Sequence, residues 1–314
     1  VEAEDIQGEA DLTASFGAVT FRNVGKRVVV RANNGSISGT TVGGTATIRG
    51  SFGRVELSDV AGYADVETSN GNLVAKNLRA GAQLKTSFGS VEASDITGNV
   101  DVATSNGRIF LRNITGSATV KDSFGRVDVA GIGKGVRIVS GNGSISVEDI
   151  GGESFVKTSF GLVKATNIAG PLTVENSNGG VRASDIRGAA NVRTSFGAVI
   201  LDGVEGAIDV DNQNGGVEIL RVSASSACRS IAARTTFAPI RVYLPGTASY
   251  DVSASTNFGR IRSDFQLTLS AGTQLGGRGT SSVSVDSKIG SGGCPLTLTN
   301  QNGNIEILQQ SNRR

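Results

Sequence analysis

Glycine recurs every 18 residues through most of the chain, and this period constrains the fold more than any other feature. Ser-Phe-Gly tripeptides alternate with Asn-Gly dipeptides, so that each motif returns after 36 residues. Strictly periodic units of this kind are typical of repeat proteins. The spacing is kept by twelve glycines: Gly17, Gly35, Gly53, Gly71, Gly89, Gly107, Gly125, Gly143, Gly161, Gly179, Gly197 and Gly215.

Each 18-residue unit also carries a strand pattern. Counted from the glycine, aliphatic residues occupy positions −5, +2 and +7, and polar or charged residues separate them. Such alternation, with many β-branched residues, is typical of β-strands. Each unit therefore predicts a strand, a Ser-Phe-Gly or Asn-Gly turn, a second strand and a second turn. We expect a type II turn, which accepts Phe or Asn at its second position and places Gly at its third.

Two strands per unit are compatible with a hairpin or with one rung of a solenoid, and identical positions recurring so strictly favour the solenoid. A coil of 36 residues is the alternative, but Val, Ile, Ala and Thr are too small to fill its wide lumen at native packing density. We therefore predict an all-β fold. It is a single β-solenoid (β-helix) of 18-residue rungs, with two strands per rung and alternating Ser-Phe-Gly and Asn-Gly turns.

The period divides the chain into two regions. Residues 1–222 form the regular solenoid, and residues 223–314 are expected to continue it irregularly, with loops and a C-terminal cap. A separate C-terminal domain is the alternative. The Gly-, Ser- and Thr-rich residues 270–282 predict a loop.

The chain opens within a rung at Val1, which we attribute to trimming of a longer precursor. An edge left open for another chain, which would build a fibre, is the alternative.

One column of the repeat is aromatic. If these phenylalanines are buried they fill a corner of the rung, and this interpretation is favoured. If exposed, they form a stripe suited to glycans or to lateral association. The column comprises Phe16, Phe52, Phe88, Phe124, Phe160 and Phe196.

Two further columns are polar. Stacked Asn and Asp at position +6 could collect Ca²⁺, which prefers oxygen ligands; turn formation is the favoured role, because Asx side chains hydrogen-bond locally in turns. The strand alternation predicts that a threonine column at position −3 faces inward. The +6 column includes Asn23, Asp59, Asn77, Asp95, Asn113, Asp149, Asn167 and Asp185, and the −3 column includes Thr68, Thr86, Thr104, Thr158 and Thr194.

Composition excludes several functions. The chain has no His, so neither a Ser-His-Asp or Cys-His catalytic group nor a His-ligated metal site can form. Thirty basic and 28 acidic residues leave a charge of +2, too balanced for a nucleic-acid binder. No apolar run reaches the length of a membrane span. Asp251, Arg260, Arg262 and Asp264 gather in the irregular region, but closeness in sequence alone does not make a site. We predict no catalytic residues, no cofactor and no metal.

The motifs resemble a bacterial family of adhesin-like β-solenoid repeat proteins, a domain of unknown function with Ser-Asn-Gly-x-Ile repeats. The resemblance covers nearly the whole chain and implies an exported bacterial protein without known catalysis, located outside the cell, at its surface or in the periplasm. The matching segments are Thr104-Ser105-Asn106-Gly107-Arg108-Ile109, Leu244-Pro245, Ile289-Gly290-Ser291-Gly292-Gly293 and Asn302-Gly303-Asn304-Ile305-Glu306-Ile307.

In an exported protein the only two cysteines, Cys228 and Cys294, suggest a disulfide that crosslinks the cap. Two free buried thiols are the alternative.

We predict a non-enzymatic exported β-solenoid that acts as an adhesin-like or structural surface scaffold. The alternatives are the subunit of an extracellular fibre assembled end to end and a carbohydrate-active β-helix enzyme. The expected partners are other copies of the chain, joined end to end or laterally, surface glycans or another extracellular protein.

Overall fold

The computed structural model describes residues 1–222, 228–269 and 282–310. Within these ranges the protein consists of β-strands and turns and contains no helix, and parallel coils stack into a β-solenoid of about twelve turns. The chain divides into two compact units, Val1–Phe155 and Val156–Arg314. The predicted all-β solenoid is confirmed.

The first unit contains two parallel sheets, one from the odd-numbered strands and one from the even-numbered strands. The first sheet comprises β1 (Glu2–Ile6), β3 (Val19–Val24), β5 (Ile37–Val42), β7 (Val55–Val60), β9 (Leu73–Leu78), β11 (Val91–Ile96), β13 (Ile109–Ile114), β15 (Val127–Ile132) and β17 (Ile145–Ile150). The second sheet comprises β2 (Ala10–Phe16), β4 (Val28–Asn34), β6 (Ala46–Phe52), β8 (Ala64–Asn70), β10 (Ala82–Phe88), β12 (Val100–Asn106), β14 (Ala118–Phe124) and β16 (Val136–Asn142).

The second unit repeats this arrangement and then departs from it. Its regular strands are β18 (Ser154–Phe160), at the boundary between the units, and β19 (Val163–Ile168), β20 (Leu172–Asn178), β21 (Val181–Ile186), β22 (Ala190–Phe196), β23 (Val199–Val204), β24 (Ile208–Asn212) and β25 (Val217–Leu220). Its remaining strands are β26 (Ile231–Thr235), β27 (Ile240–Leu244), β28 (Tyr250–Thr256), β29 (Ile261–Ser263), β30 (Thr268–Leu269), β31 (Val283–Ile289), β32 (Pro295–Asn300) and β33 (Ile305–Gln309).

The strand register confirms the rung length. Each regular strand pairs in parallel with the strand 18 residues away, as Val30 does with Ile48 and Val55 with Leu73. A 36-residue coil would place these pairs 36 residues apart. The 18-residue period of the sequence is therefore the period of the backbone hydrogen bonds.

Aliphatic side chains at the inward positions fill the space between the two sheets. Ile48, Val66, Leu73 and Leu78 are inaccessible to solvent. The one phenylalanine at an inward position, Phe21, is also fully buried, and its ring occupies the space that a Cβ on Gly39 in the next rung would need. Large and small residues on successive rungs thus fill the same layer of the core.

The last rungs do not follow chain order. Strand β32 lies between β26 and β28, and β33 lies between β27 and β29, so the final strands are inserted into the stack. Strand β31 runs antiparallel to both β28 and β30. Of the predicted loop at 270–282, residues 270–281 lie outside the described residues.

Candidate functional site

The regularly spaced phenylalanines stand at the surface. In the first unit Phe16, Phe52, Phe88 and Phe124 end strands β2, β6, β10 and β14 and are 81%, 54%, 56% and 56% exposed. In the second unit Phe160 and Phe196 are also more than half exposed. The favoured expectation that this column fills a buried corner is therefore wrong.

At the turns beside these phenylalanines, the glycine backbones of successive rungs lie in close contact. A Cβ added to Gly107 would overlap the carbonyl oxygen of Gly89 one rung earlier, and the same overlap recurs between Gly125 and Gly107. Successive turns therefore pack directly on one another. The phenylalanine before each glycine points outward, although the strand alternation would place it inside.

This close approach also explains why the turn requires glycine. A uniform type II turn would give each glycine a φ near +80°, but φ is +91° at Gly17, +152° at Gly35 and outside the left-handed region at Gly107. The expectation of one turn type is thus wrong. What most of the turn glycines share is the contact with the rung before them: a Cβ would overlap neighbouring backbone at Gly35, Gly53, Gly71, Gly89, Gly107, Gly125, Gly143, Gly179, Gly197 and Gly215.

Asparagine alternates with phenylalanine along the same line. The pairing of adjacent strands aligns Phe52 with Asn70, Asn70 with Phe88, Phe88 with Asn106 and Asn106 with Phe124. Because adjacent strands lie about 4.8 Å apart, the phenylalanines of the first unit recur about every 9.6 Å. We call Phe16, Phe52, Phe88 and Phe124, with the asparagines between them, the phenylalanine edge.

A shallow polar groove borders this edge. In the first unit it has a volume of about 610 Å³, and the residues that line it include the serines immediately before the phenylalanines and the lysines Lys85 and Lys121. The second unit has a similar groove of about 320 Å³, in which Lys157 and Glu175 form an ion pair of 2.7 Å. Because charges of both signs occupy these grooves, neither presents the single-signed potential that would focus an ionic substrate.

Beneath the edge runs a buried polar column, three residues before each turn glycine. It comprises Thr68, Thr86, Thr104, Asp122 and Ser140 in the first unit and Thr158, Asn176, Thr194 and Asn212 in the second. The predicted inward direction of the threonines is confirmed. Thr86 Oγ1 donates to the carbonyl of Gly71 at 3.2 Å, and Asn176 Nδ2 donates to that of Gly161 at 2.9 Å. We call this set the inner polar column; at these rungs it supplies donors to the turn carbonyls.

Asp122 is the carboxylate of the inner polar column. Its Oδ2 accepts a hydrogen bond of 3.1 Å from Ser140, whereas its Oδ1 is buried without a partner. Burial raises the pKa of Asp122 above its ordinary value, and hydrogen bonds from Ser140 and from the amides of Ser123 and Phe124 oppose that increase. The threonine pattern of the sequence does not single out Asp122.

The +6 column adopts left-handed backbone conformations. Asn77 has φ +53° and Asp95 has φ +58°, and Gly131 and Gly203 replace Asx in the same column with φ near +70°. Asn, Asp and Gly tolerate this conformation best. Asparagine also donates to the aspartate one rung earlier, with Asn77 Nδ2 lying 3.1 Å from Asp59 Oδ1. Among the described residues no group of three His, Cys, Asp or Glu side chains that could hold a metal ion forms. The side chains of this column thus hydrogen-bond from one rung to the next.

The two cysteines meet in the second unit. Cys228 and Cys294 form a disulfide across a sequence separation of 66 residues. They precede Ile231 and Leu296, which pair on the neighbouring strands β26 and β32. The bond therefore ties the inserted strand β32 to the strand beside which it lies.

The irregular charged residues serve local structure. Asp251 accepts a hydrogen bond of 3.0 Å from the amide of Gly293, and Asp264 accepts one of 3.3 Å from the amide of Gln309. Arg260 donates its backbone amide to Asn304 at 3.0 Å, and the chain at Arg262 pairs with Glu306. These contacts hold the last rungs together.

The stacked coils, inner polar column and exposed aromatic edge define a β-solenoid repeat protein. The family described as Toastrack DUF4097, a domain of unknown function, matches residues 132–308, and the chain belongs to it. No curated protein and no solved structure gave a significant match. Among the described residues there is no helix that could cross a membrane.

Proposed function

We propose that this protein is a non-catalytic bacterial surface scaffold, exported from the cytoplasm, that contacts other molecules through its phenylalanine edge. The observation that carries the proposal is the exposure of regularly spaced phenylalanines at turns that do not need them. The resemblance to adhesin-like solenoids supports the same role, and the Toastrack family is not a known enzyme family.

The asparagine rungs argue that phenylalanine is dispensable for folding. Asn70 and Asn106 occupy the same backbone position as Phe52 and Phe88, and the same stacked glycines follow them. A phenylalanine that stays more than half exposed also gains only part of the stabilisation of a buried ring. The repeated aromatic residue is therefore better explained by contact with another molecule.

The disulfide supports export. Disulfides persist in oxidising compartments and are rare in the cytosol. Cys228 and Cys294 can be tested directly by alkylating the producing bacterium with maleimide-linked polyethylene glycol under denaturing conditions, with and without prior reduction. Export predicts that the unreduced protein gains no polymer and the reduced protein gains two. Two additions without reduction, together with recovery in the cytoplasmic fraction, would contradict export.

The role of the edge can be tested with a variant that the sequence itself suggests. Replacing Phe52, Phe88 and Phe124 by Asn gives every affected turn the residue that neighbouring rungs already carry. Tyr63→Asn is the matched control, because Tyr63 is 40% exposed and lies off the edge. We expect the triple variant to lose self-association or glycan binding at least tenfold while Tyr63→Asn retains both. Equal behaviour of all three proteins in sedimentation and on a glycan array would refute the role of the edge.

A carbohydrate-active enzyme is the less favoured alternative. Glycosidases need two carboxyl groups placed across the scissile bond. Asp251 and Asp264, the carboxylates of the irregular region singled out above, instead accept backbone hydrogen bonds. Release of reducing sugar from a polysaccharide, abolished by Asp251→Asn, would reverse this preference.

A further inference from the structure

We infer that the phenylalanine edge binds the same edge of a second copy, forming an interdigitated aromatic zipper. This inference rests on the proposed function and names the partner of that edge. It follows from the spacing of the rings and from the residue that lies between them.

The gaps between the rings have the dimension of one ring. Phenylalanines that recur every 9.6 Å leave a midpoint about 4.8 Å from the ring on either side. Aromatic pairs prefer centroid separations of about 4.5–7 Å. A ring inserted over Asn70 could therefore contact both Phe52 and Phe88. Asparagine at the intermediate position leaves the gap open, whereas a phenylalanine at that position would fill it.

A second copy carries rings at the same interval. If one copy is displaced by one rung, three of its four rings enter the three gaps of the other, and each of its asparagines lies opposite a ring. A second copy of this chain matches the 9.6 Å interval at every ring, because its rungs have the same spacing. The edge is thus complementary to itself.

The interdigitation also selects the symmetry. A two-fold axis parallel to the stacking direction keeps every ring at its own height and sets ring against ring. A two-fold axis perpendicular to that direction reverses one copy and permits the displacement by one rung. The dimer is therefore antiparallel and isologous, which closes the assembly at two copies along this edge.

The available area fits a modest interface. The four phenylalanines are between 54% and 81% exposed, so each offers roughly 120 Å² of the 150–250 Å² that a buried aromatic residue covers. Together they supply roughly 500 Å² per copy, against about 800 Å² in a standard interface. The neighbouring serines and asparagines border the rings and can supply the remainder. We therefore expect association that depends on protein concentration.

Two opposite variants test the zipper by sedimentation velocity from about 1 to 200 µM. Wild type is expected to shift from the 32.0 kDa chain to a dimer, and Phe52→Asn/Phe88→Asn/Phe124→Asn to remain monomeric. The decisive protein is Asn70→Phe/Asn106→Phe, which adds apolar surface but fills two of the three gaps. The zipper predicts at least tenfold weaker association, whereas a merely adhesive apolar edge predicts stronger association. Either stronger association of this variant or a monomeric wild type overturns the inference.

A second measurement does not depend on the folding of the gap-filled variant. With p-benzoylphenylalanine at position 88, irradiation should join two chains through residues of the edge itself, near Asn34 or Asn70 of the second copy. Crosslinks confined to other surfaces overturn the zipper. If wild type stays monomeric but the triple variant loses glycan binding, the zipper fails and the proposed role of the edge stands. If the triple variant changes neither property, both fail.

Discussion

Replacing Asp122 by asparagine should stabilise the protein, although it removes a hydrogen-bonded carboxylate from the interior. Asn176 and Asn212, at the same position of other rungs, donate to the turn carbonyl fifteen residues earlier at 2.9 and 2.8 Å. The corresponding carbonyl for position 122 is that of Gly107. An ionised Asp122 cannot donate to it, and its buried Oδ1 has no partner.

The size of the effect follows from the missing hydrogen bond to the Gly107 carbonyl and from the unpartnered Oδ1 of Asp122. A net hydrogen bond contributes about 0.5–1.5 kcal/mol, and an unsatisfied buried group costs about 1–3 kcal/mol. Allowing for partial relaxation, we expect Asp122→Asn to raise the free energy of unfolding by about 1–2 kcal/mol at pH 8. In a domain of 150–250 residues each kcal/mol corresponds to about 2–4 °C in Tm.

The stabilisation by Asp122→Asn should disappear in acid. Burial raises the pKa of Asp122, so the folded protein retains this proton over a range in which the unfolded chain has lost it. The wild-type stability contributed by this group is therefore complete below the ordinary pKa and is lost as pH rises through the raised one. Below that range the protonated carboxyl can donate like asparagine.

Guanidinium unfolding followed by circular dichroism, at pH 3 and pH 8, measures the difference between variant and wild type at each pH. The mirror substitution Asn176→Asp is the control, and it should destabilise at pH 8 and recover in acid. A loss of stability in Asp122→Asn at pH 8, or a gain that is equal at the two pH values, would refute the reasoning.

Three further predictions test the turns, the left-handed column and the disulfide. Gly107→Ala should cost about 3 kcal/mol or more, because its Cβ would overlap the carbonyl of Gly89, whereas Gly8→Ala meets nothing within 4 Å and should leave Tm unchanged in thermal melts. Thr41→Asn should raise the free energy of unfolding by about 1 kcal/mol in denaturant titrations, since Thr41 holds φ +58° against its β-branched side chain. Reduction of the disulfide should lower the stability of the second unit by about 4 kcal/mol, seen as an earlier calorimetric transition absent from the oxidised protein.

The sequence was sufficient to predict the repetitive part of the fold. The spacing of glycine and aliphatic residues is local information, and it specifies both the rung and the residues that face inward. The left-handed conformation at position +6 was also signalled, because Asn, Asp and Gly share that column, and Gly131 and Gly203 are its clearest members.

The exposure of Phe52 and its equivalents could not be obtained in this way. Parity along one strand places position −1 inside, whereas in the structure the side chain at this position turns outward beside the contact between glycines of successive rungs, such as Gly71 and Gly53. That contact joins residues 18 positions apart and leaves no trace in the pattern of a single strand. The insertion of β32 between β26 and β28 was unpredictable for a similar reason, because the period that fixes the pairing ends before these strands.

The alternation of Asn and Asp in the +6 column separates like charges along the stack, and Asn77→Asp tests the effect of removing that separation. Asp59, Asn77 and Asp95 are exposed and occupy successive rungs. The variant would place three carboxylates about 4.8 Å apart and remove the amide that donates to Asp59. At that separation each adjacent pair repels by about 1 kcal/mol in water. We expect a loss of about 1–3 kcal/mol in the free energy of unfolding at pH 7.

Asn77→Gly is the matched control, because glycine keeps the φ of +53° without strain and removes only the amide. Repulsion is screened by salt and abolished by protonation, so Asn77→Asp should regain most of its loss in 1 M NaCl or at pH 3, and Asn77→Gly should not. Millimolar Ca²⁺ should also stabilise Asn77→Asp and leave wild type unchanged, since three adjacent carboxylates offer the oxygen ligands that the alternating column separates. A wild-type protein stabilised by Ca²⁺ to the same extent would show that the asparagines do not prevent cation binding, and the purely structural role of the column would be wrong.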